Sequence, residues 1–227
     1  MKILPAAVLA ATLFCPAAGA TPPAPAEGRL AQLYAPRPPA GSAFVRVLNP
    51  GAKTVTVAVA GGAAQPVGPA TRATRYAIVP GGAPYAVQVA GSARRQPAVA
   101  AGSFTTLVLD AAAPTRPLAA LADGGGSSDA LKAEIRFYNL AAGCAPAVLA
   151  LAGNGAAVFN AVAAGTSAAR AINPVSAPLV ARCGSRSTAT FTLPALQPGD
   201  HYSLFLTGTA AAPVLQGQRS GTDPVGR

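Results

Sequence analysis

A five-residue pattern occurs twice in this chain and constrains its fold more than any other feature. Residues 45–49 have the sequence VRVLN, and residues 135–139 have the sequence IRFYN. Each copy precedes a turn of small residues and a strongly apolar segment, at 54–60 and 147–152. Alternation bounded by turns is typical of β-strands. The repeat therefore predicts a duplicated β domain, and duplication favours a scaffold over a lone active-site pocket.

Glycine and proline turn signals separate the other apolar segments at the short intervals of β-sandwiches, and no helical pattern intervenes. We predict an all-β protein of two tandem antiparallel, immunoglobulin-like β-sandwich domains joined by a Gly/Ser-rich linker. The predicted divisions are a signal peptide at 1–20, a proline-rich leader at 21–41, an N-terminal sandwich at 42–112, a flexible linker at 113–131, a C-terminal sandwich at 132–216 and a frayed polar tail at 217–227.

The period of two along a strand predicts which side chains are buried. In each copy of the repeated strand the first and third residues face the core, so Arg46 and Arg136 mark the outer faces. The same alternation assigns further residues to the cores: Tyr85, Val87, Val89, Tyr202, Leu204 and Leu206. Predicted strands cover 44–48, 54–60, 72–79, 85–90, 104–110, 134–139, 147–152, 156–163, 168–172, 178–183, 188–193 and 201–207.

The first residues predict export. Lys2 is followed by an apolar run to Cys15 and by small residues that end at Ala20, which is the pattern of a cleavable signal peptide. The run is shorter than the roughly 20 apolar residues of a membrane span. We expect cleavage after Ala20, export and no span in the mature chain. The lipoprotein alternative is disfavoured because Phe14 directly precedes Cys15.

Two cysteines follow the predicted cleavage point, Cys144 and Cys183. An even pair in an exported chain usually forms a disulfide, and closing a loop of about 40 residues would contribute roughly 4 kcal/mol at best. Two buried free thiols are the alternative. We expect neither a metal nor a cofactor, because two sulfurs without neighbouring His or Asp ligands do not complete a tetrahedral zinc site.

The formal charge is +10, and removal of Lys2 lowers it by one. A basic surface raises encounter rates with acidic polysaccharides, anionic membranes and acidic proteins. Nucleic acid is disfavoured by export and by the lack of a stacking platform or recognition helix. Arginine and tyrosine are enriched at interface hot spots, so the candidate contact residues are Tyr34, Arg37, Arg46, Arg72, Arg75, Arg94, Arg95, Arg136 and Tyr138.

General acid–base catalysis needs a positioned titratable pair. The chain supplies one histidine, His201, and seven carboxylates, without a recognisable signature. Its serines also lack the Gly-x-Ser-x-Gly elbow of a nucleophile. We therefore predict no catalytic residue and no enzymatic activity.

Four blocks, at residues 33–49, 80–85, 171–175 and 202–208, are distributed along nearly the whole mature chain in the order found in one family. With these blocks the sequence resembles AlgF, the accessory protein of alginate O-acetylation. The resemblance implies a periplasmic protein of two β-sandwiches that is required for acetylating a secreted uronic-acid polymer. It also implies an adaptor beside a membrane-bound O-acyltransferase and SGNH-type periplasmic acetyltransferases. No catalytic residue is carried over, because none is established in the matching blocks.

Three functions are compatible with these features. The first is a non-catalytic bridge for O-acetylation of an alginate-like acidic exopolysaccharide, in which the two sandwiches hold different partners across a flexible joint. The second is a carbohydrate-binding module that binds an anionic polysaccharide through outer-face arginines. The third and least favoured is a covalent acetyl relay through a serine or His201.

Overall fold

The structure is a computed structural model, and it describes residues 37–92, 94–110, 118–124, 129 and 131–223. The predicted signal peptide, residues 21–36 of the leader and Tyr34 lie outside the described residues. Across the described ranges the chain forms strands, turns and loops without a helix, as predicted. These ranges accordingly include no helix with the length and apolarity needed to cross a membrane.

The first sandwich consists of two sheets. Its strands are β1 (Ser42–Leu48), β2 (Val55–Val59), β3 (Gln65–Val67), β4 (Ala77–Pro80), β5 (Val87–Val89), β6 (Phe104–Val108) and β7 (Ala119–Ala122). One sheet has the order β4-β1-β6-β7, and the other has the order β3-β2-β5. The valine-rich strands β1 and β2 occupy inner positions, where β-branched side chains pack well against neighbours on both sides.

The second sandwich repeats this plan. Its strands are β8 (Ala133–Asn139), β9 (Ala147–Leu151), β10 (Ala157–Val162), β11 (Thr166–Ile172), β12 (Ala177–Cys183), β13 (Arg186–Ser187), β14 (Phe191–Leu193), β15 (His201–Gly208) and β16 (Pro213–Arg219). One sheet has the order β11-β8-β15-β16. The other has the order β10-β9-β12-β13, with β14 also paired to β12.

The duplicated strand occupies the same place in both sandwiches. β1 lies between antiparallel β4 and parallel β6, and β8 lies between antiparallel β11 and parallel β15. The two parallel pairs depart from the predicted all-antiparallel arrangement. They are possible because the chain passes through the opposite sheet before it returns beside its first strand. The all-β fold of two domains is confirmed.

Each sandwich encloses its own apolar core. Val45, Val47, Ile135 and Phe137 point into these cores and are at most 2% exposed. Each such side chain contributes about 1.5–3 kcal/mol when it is fully buried. The other six residues that alternation assigned to the cores are also buried, as predicted: Tyr85, Val87, Val89, Tyr202, Leu204 and Leu206.

Two segments that were predicted to be unpaired are strands. β7 lies inside the predicted linker 113–131 and pairs antiparallel with β6, so the first sandwich extends beyond its predicted end at 112. β16 continues into the predicted frayed tail 217–227 and pairs with β15. Their Ala-rich and Gln/Gly sequences have little intrinsic strand preference, so an available neighbouring edge decides their conformation. The short strand β3 was missed because it contains Pro66.

Cys144 and Cys183 form the predicted disulfide, with Cα atoms 5.3 Å apart, a normal separation for a bridged pair. The bond joins the turn after β8 to the end of β12 and so links the two sheets of the second sandwich. Both residues belong to its apolar core. The first sandwich contains no cysteine.

Candidate functional site

The two four-stranded sheets face each other through the sides that point away from their own cores. A separate apolar cluster crosses this contact, with Leu48 and Ala73 from the first sandwich and Tyr138 and Phe205 from the second. All four residues are at most 1% exposed. We call this cluster, together with the polar groups around it, the interdomain interface. The outer faces that the sequence assigned to solvent are therefore covered, and the sandwiches are packed together.

Arg46 lies inside the interdomain interface and is 1% exposed. Its Nε donates to Thr106 Oγ1 at 2.8 Å, and its Nη1 donates to Ser220 Oγ at 3.1 Å. Its Nη2 donates to Tyr138 Oη at 2.6 Å and to Ser203 Oγ at 2.8 Å. The prediction that Arg46 and Tyr138 are exposed to a partner was wrong, because each binds a group in the opposite sandwich.

Three aromatic rings also surround the guanidinium of Arg46. Its Cζ lies 4.6 Å from the ring centroid of Tyr76, 5.5 Å from that of Tyr138 and 5.7 Å from that of Phe205. Distances within about 6 Å allow a cation–π attraction. Burial of a charge is unfavourable unless the charge is paired and hydrogen-bonded, and the rings and hydroxyls meet this requirement for Arg46.

The opposite charge comes from Asp123, which directly follows β7 and is 6% exposed. Its carboxylate accepts hydrogen bonds from Tyr138 Oη at 2.5 Å, from Tyr76 Oη at 2.7 Å and from Thr106 Oγ1. The hydroxyls of Thr106 and Tyr138 thus accept from Arg46 and donate to Asp123. Two hydroxyls therefore connect the buried cation to the buried anion.

The pKa values of this cluster favour the same arrangement. Burial by itself lowers the pKa of Arg46, but Tyr138, Tyr76 and Asp123 outweigh burial and raise it. Burial raises the pKa of Tyr76 well above its ordinary value, against the opposing effect of Arg46. Burial likewise raises the pKa of Tyr138 to about 12. Both phenols are protonated at neutral pH, which is the form that donates to Asp123.

Arg136 is the repeat equivalent of Arg46, is 7% exposed and binds different groups. Its Nη2 donates to the carbonyl oxygens of Asp123 at 2.9 Å and Gly124 at 3.1 Å, and to Glu134 Oε1 at 3.2 Å. Its Nε lies 4.0 Å from Asp123 Oδ1. Arg136 therefore attaches the segment after β7 to the second sandwich. Its predicted exposure to a partner was also wrong.

Polar contacts extend the interdomain interface along β16. Arg72, which is 7% exposed and was also predicted to contact a partner, donates through Nε to Gln216 Oε1 and through Nη1 to the Gly51 carbonyl at 2.7 Å. Burial lowers the pKa of Arg72. Gln218 accepts from the N–H of Ala73 at 3.1 Å and donates to its carbonyl at 2.8 Å. The strand that the sequence assigned partly to a tail thus contacts both sandwiches.

The other candidate contact residues lie on three loops, and Arg94 and Arg95 share one of them. Arg37, Arg75 and Arg94 are exposed, before β1, before β4 and after β5 respectively. Arg95 is half-buried, and its backbone pairs with that of Val87. The structure does not bring these residues together into one site, and their contact with a partner stays a prediction.

Two serines and the histidine of this chain lie at the interdomain interface, where other groups of the chain contact them. The hydroxyls of Ser203 and Ser220 lie 2.9 Å apart, and both accept from Arg46. His201 Nδ1 lies 3.7 Å from Glu134 Oε1. Within the described ranges no three His, Cys, Asp or Glu side chains form a possible metal site. The arrangement can hold two sheets together through buried charge pairs.

Sequence analysis missed Asp123, Ser203 and the β16 glutamines as members of this interface. One signal was available, because alternation puts Leu48, Tyr138 and Phe205 on the faces that were assigned to solvent. Large apolar side chains at corresponding positions of neighbouring strands indicate a covered face. Asp123 had no such signal, since it follows an alanine-rich segment whose pairing with β6 is not encoded locally.

Comparison with known proteins gives one family match. The model of the family described as alginate O-acetyl transferase AlgF matches residues 19–203. The chain is also similar to a solved structure of the C-terminal domain of AlgF from P. aeruginosa, with 25% identity and a TM-score of 0.35. That similarity covers 39% of this chain and 98% of the solved chain. None of the curated proteins matches the chain.

Proposed function

The chain belongs to the AlgF family of alginate O-acetylation proteins, and we propose that it is a non-catalytic periplasmic adaptor within that process. It links a membrane-bound O-acyltransferase to an SGNH-type acetyltransferase, and it forms and breaks no covalent bond itself. Export follows from the predicted signal peptide, and the periplasmic location follows from the family resemblance. The partners follow from the family resemblance.

The interdomain interface is the observation that carries this proposal. Arg46 and Arg136 are buried with Asp123 and Glu134 between the sheets, and an apolar cluster crosses the same contact. Two sandwiches joined in this way present their exposed loops at one distance and one angle. A pre-organised bridge loses less conformational freedom on binding than a hinged one, and it keeps the two enzymes at a high effective concentration. The adaptor is therefore rigid, in place of the flexible joint expected from sequence.

The use of the reactive side chains supports a non-catalytic role. A nucleophilic serine needs an adjacent base within hydrogen-bond reach, whereas Ser203 and Ser220 bond to each other and to a guanidinium that cannot accept a proton. His201 faces Glu134 on the same sheet. The bonds from Arg46 to the two serines hold the sandwiches together and oppose an acetyl relay through either serine.

Reconstitution with both enzymes tests the adaptor. The membrane acyltransferase is immobilised in detergent, and retention of the purified acetyltransferase is measured with and without the full mature chain. We expect retention only when the chain is present, and an Asp223→Asn control variant retains the enzyme as the wild type does. Equal retention without the chain contradicts bridging. Turnover of an acyl ester by the purified chain, abolished by one substitution, contradicts the non-catalytic role.

Binding of the anionic polymer is a second candidate, favoured by the exposed guanidiniums of Arg37, Arg75 and Arg94. Contacts driven by exposed charge weaken as ionic strength rises. Titration with alginate should then give binding at low salt that disappears near physiological salt and that a triple Arg→Gln variant lacks. Absence of binding at low salt removes this candidate and leaves the adaptor unaffected.

A further inference from the structure

The equivalent edge strands of the two sandwiches, β4 and β11, differ in whether their outer edge is occupied. Beside β4, the N–H of Tyr76 donates to the Gly221 carbonyl at 2.8 Å, and the N–H of Asp223 donates to the Tyr76 carbonyl at 2.8 Å. Thr222 thereby forms a parallel bridge with Tyr76. An extended segment of the chain has added itself to the outer edge at the start of β4.

The backbone of β11 offers the same kind of edge over a longer span. The N–H of Glu134 in β8 donates to the Asp200 carbonyl, and the N–H of Leu140, directly after β8, donates to the Leu206 carbonyl. The even-numbered residues of β8 therefore bond toward β15. Odd-numbered residues of β8 then bond to β11, where they lie opposite even-numbered residues such as Ala168 and Arg170. The N–H and C=O groups of Ser167, Ala169 and Ala171 consequently point away from the sheet.

Nothing in the described part of the chain pairs with these outward groups through its backbone. β11 has seven residues, contains no proline, and is largely exposed with small side chains. Edge strands usually carry devices that prevent pairing, such as lysine, proline, bulges or a covering segment. Here the one charged residue, Arg170, turns aside and donates through Nη1 to the Val158 carbonyl at 3.2 Å. The edge is thus open to an added strand.

We propose that β11 is a docking edge to which an acidic extended segment of a partner protein adds as a further strand. The proposal rests on the adaptor function above and specifies how one partner is held. Main-chain hydrogen bonds supply affinity in such strand addition, and flanking side chains supply specificity. The pairing of residues 221–223 with β4 is the precedent for it within this molecule.

Charge selects an acidic segment over a second copy of this chain. Arg170 lies in the middle of β11, and Lys132 Nζ bonds to Asn173 just beyond its end. A strand from a second copy would bring a second Arg170 against the same edge and add another strongly basic chain. Like charges across a strand pair are destabilising, whereas opposite charges are favourable.

A proline exchange separates this edge from the rest of the fold. Ala169→Pro removes one outward N–H and fills its place with the proline ring, while the bonds from β11 to β8 are kept. Ala164→Pro is the matched control, because Ala164 precedes Gly165, which has a φ of 70° in the turn closed by Thr166 N and Ala163 O. Proline suits that turn position. Both variants should unfold at the wild-type temperature to within a few degrees.

The assay measures binding of purified SGNH-type acetyltransferase to the full mature chain, together with hydrogen exchange at residues 167, 169 and 171. We expect protection of those three amides, at least tenfold weaker binding by Ala169→Pro and unchanged binding by Ala164→Pro. If the enzyme binds the wild type and Ala169→Pro equally and leaves the amides unprotected, the docking edge is wrong and the adaptor function still stands.

Two other outcomes also test the proposed docking edge. If the acetyltransferase does not bind the wild type, the adaptor function fails, and a synthetic peptide of alternating valine and aspartate at millimolar concentration tests the edge alone. Protection of the three amides by that peptide supports the edge, and no protection overturns it. A wild-type dimer that Ala169→Pro abolishes would identify a second copy as the occupant and overturn the acidic segment.

Discussion

Asn49 and Asn139 end the two copies of the repeated strand, and their side chains make equivalent contacts. Each amide donates to one carbonyl in the following turn and to another on the last residue of a strand in the opposite sheet: Lys53 (2.8 Å) and Val67 (3.0 Å) for Asn49, and Cys144 (2.7 Å) and Val162 (3.0 Å) for Asn139. Both residues are at most 3% exposed. The two copies of the repeated strand therefore make the same asparagine contacts, each within its own sandwich.

The arginines of the same two strands have diverged. Thr106 lies opposite Arg46 in the first sheet, and Ser203 lies opposite Arg136 in the second. Both hydroxyls nevertheless bond to Arg46, while Arg136 bonds to the segment after β7. Two guanidiniums buried side by side would repel each other strongly. Only one of them can therefore lie among the rings of Tyr76, Tyr138 and Phe205. Contacts within a sandwich are repeated, whereas contacts between sandwiches depend on what the other sheet presents.

Among the tests of this difference, removal of the Asp123 carboxylate should cause the largest loss of stability. Asp123→Asn leaves the buried guanidinium of Arg46 without a nearby carboxylate and leaves Arg136 with Glu134 alone, and breaking a buried ion pair costs about 3–5 kcal/mol. We expect urea unfolding to show a loss of about 4 kcal/mol. The control Asp223→Asn removes a carboxylate 3.9 Å from exposed Arg75 and should cost less than about 1 kcal/mol. Similar losses for both variants would contradict a central role for Asp123.

Replacing each arginine separately compares the two positions directly. Arg46→Gln should cost about 3 kcal/mol, because four hydrogen bonds and three ring contacts are lost at a site that is 1% exposed. Arg136→Gln should cost about 2 kcal/mol, because it loses three hydrogen bonds, one of them to the carbonyl of exposed Gly124. Equal losses would show that the three aromatic rings around Arg46 add nothing to the free energy of unfolding beyond the effect of burial. Chemical unfolding of both variants measures the difference.

The pH dependence of stability above neutral pH tests the raised pKa of the buried Tyr138 hydroxyl. The folded protein holds the pKa of Tyr138 at about 12, against an ordinary 10.0. Between these values the folded state binds more protons than the unfolded state, so stability that is fully present below pH 10 falls as pH rises toward 12. Tyr138 alone should account for about 2–3 kcal/mol of this loss. Tyr138→Phe removes the Tyr138 contribution, so its stability should fall less over the same range, and an unchanged slope would contradict the assignment.

The smallest expected effect concerns the two asparagines. Asn49→Ala should cost about 2 kcal/mol and Asn139→Ala about 1 kcal/mol, since each leaves buried carbonyls unpaired. The difference arises because Asn49 Oδ1 also accepts from Gly51 N at 2.9 Å, while Asn139 Oδ1 has no hydrogen-bond partner within the described residues. Thermal unfolding resolves changes of this size. A larger loss for Asn139→Ala would reverse the comparison.

Much of the fold was predictable from local pattern. The repeated strand, the inward direction of Val45 and Val47 and the pairing of Cys144 with Cys183 were all confirmed, since alternation and cysteine count are local signals. β7 and β16 were missed because alanine, glutamine and glycine carry weak strand preferences, and their conformation comes from the edges beside them. The interface site depended on those missed strands, which bring Asp123, Gln216 and Gln218 to it.

By itself the sequence determined two β-sandwiches, their cores and the duplicated strand at the centre of each, because side-chain alternation reports which face of a strand avoids water. Only the tertiary structure decided that the opposite faces avoid water as well. Whether Arg46 meets solvent or Tyr138 and Ser203 depends on a sheet assembled from strands far away in sequence, and no pattern around residue 46 records which sheet will cover it. Burial of that face converts two repeated domains into one body.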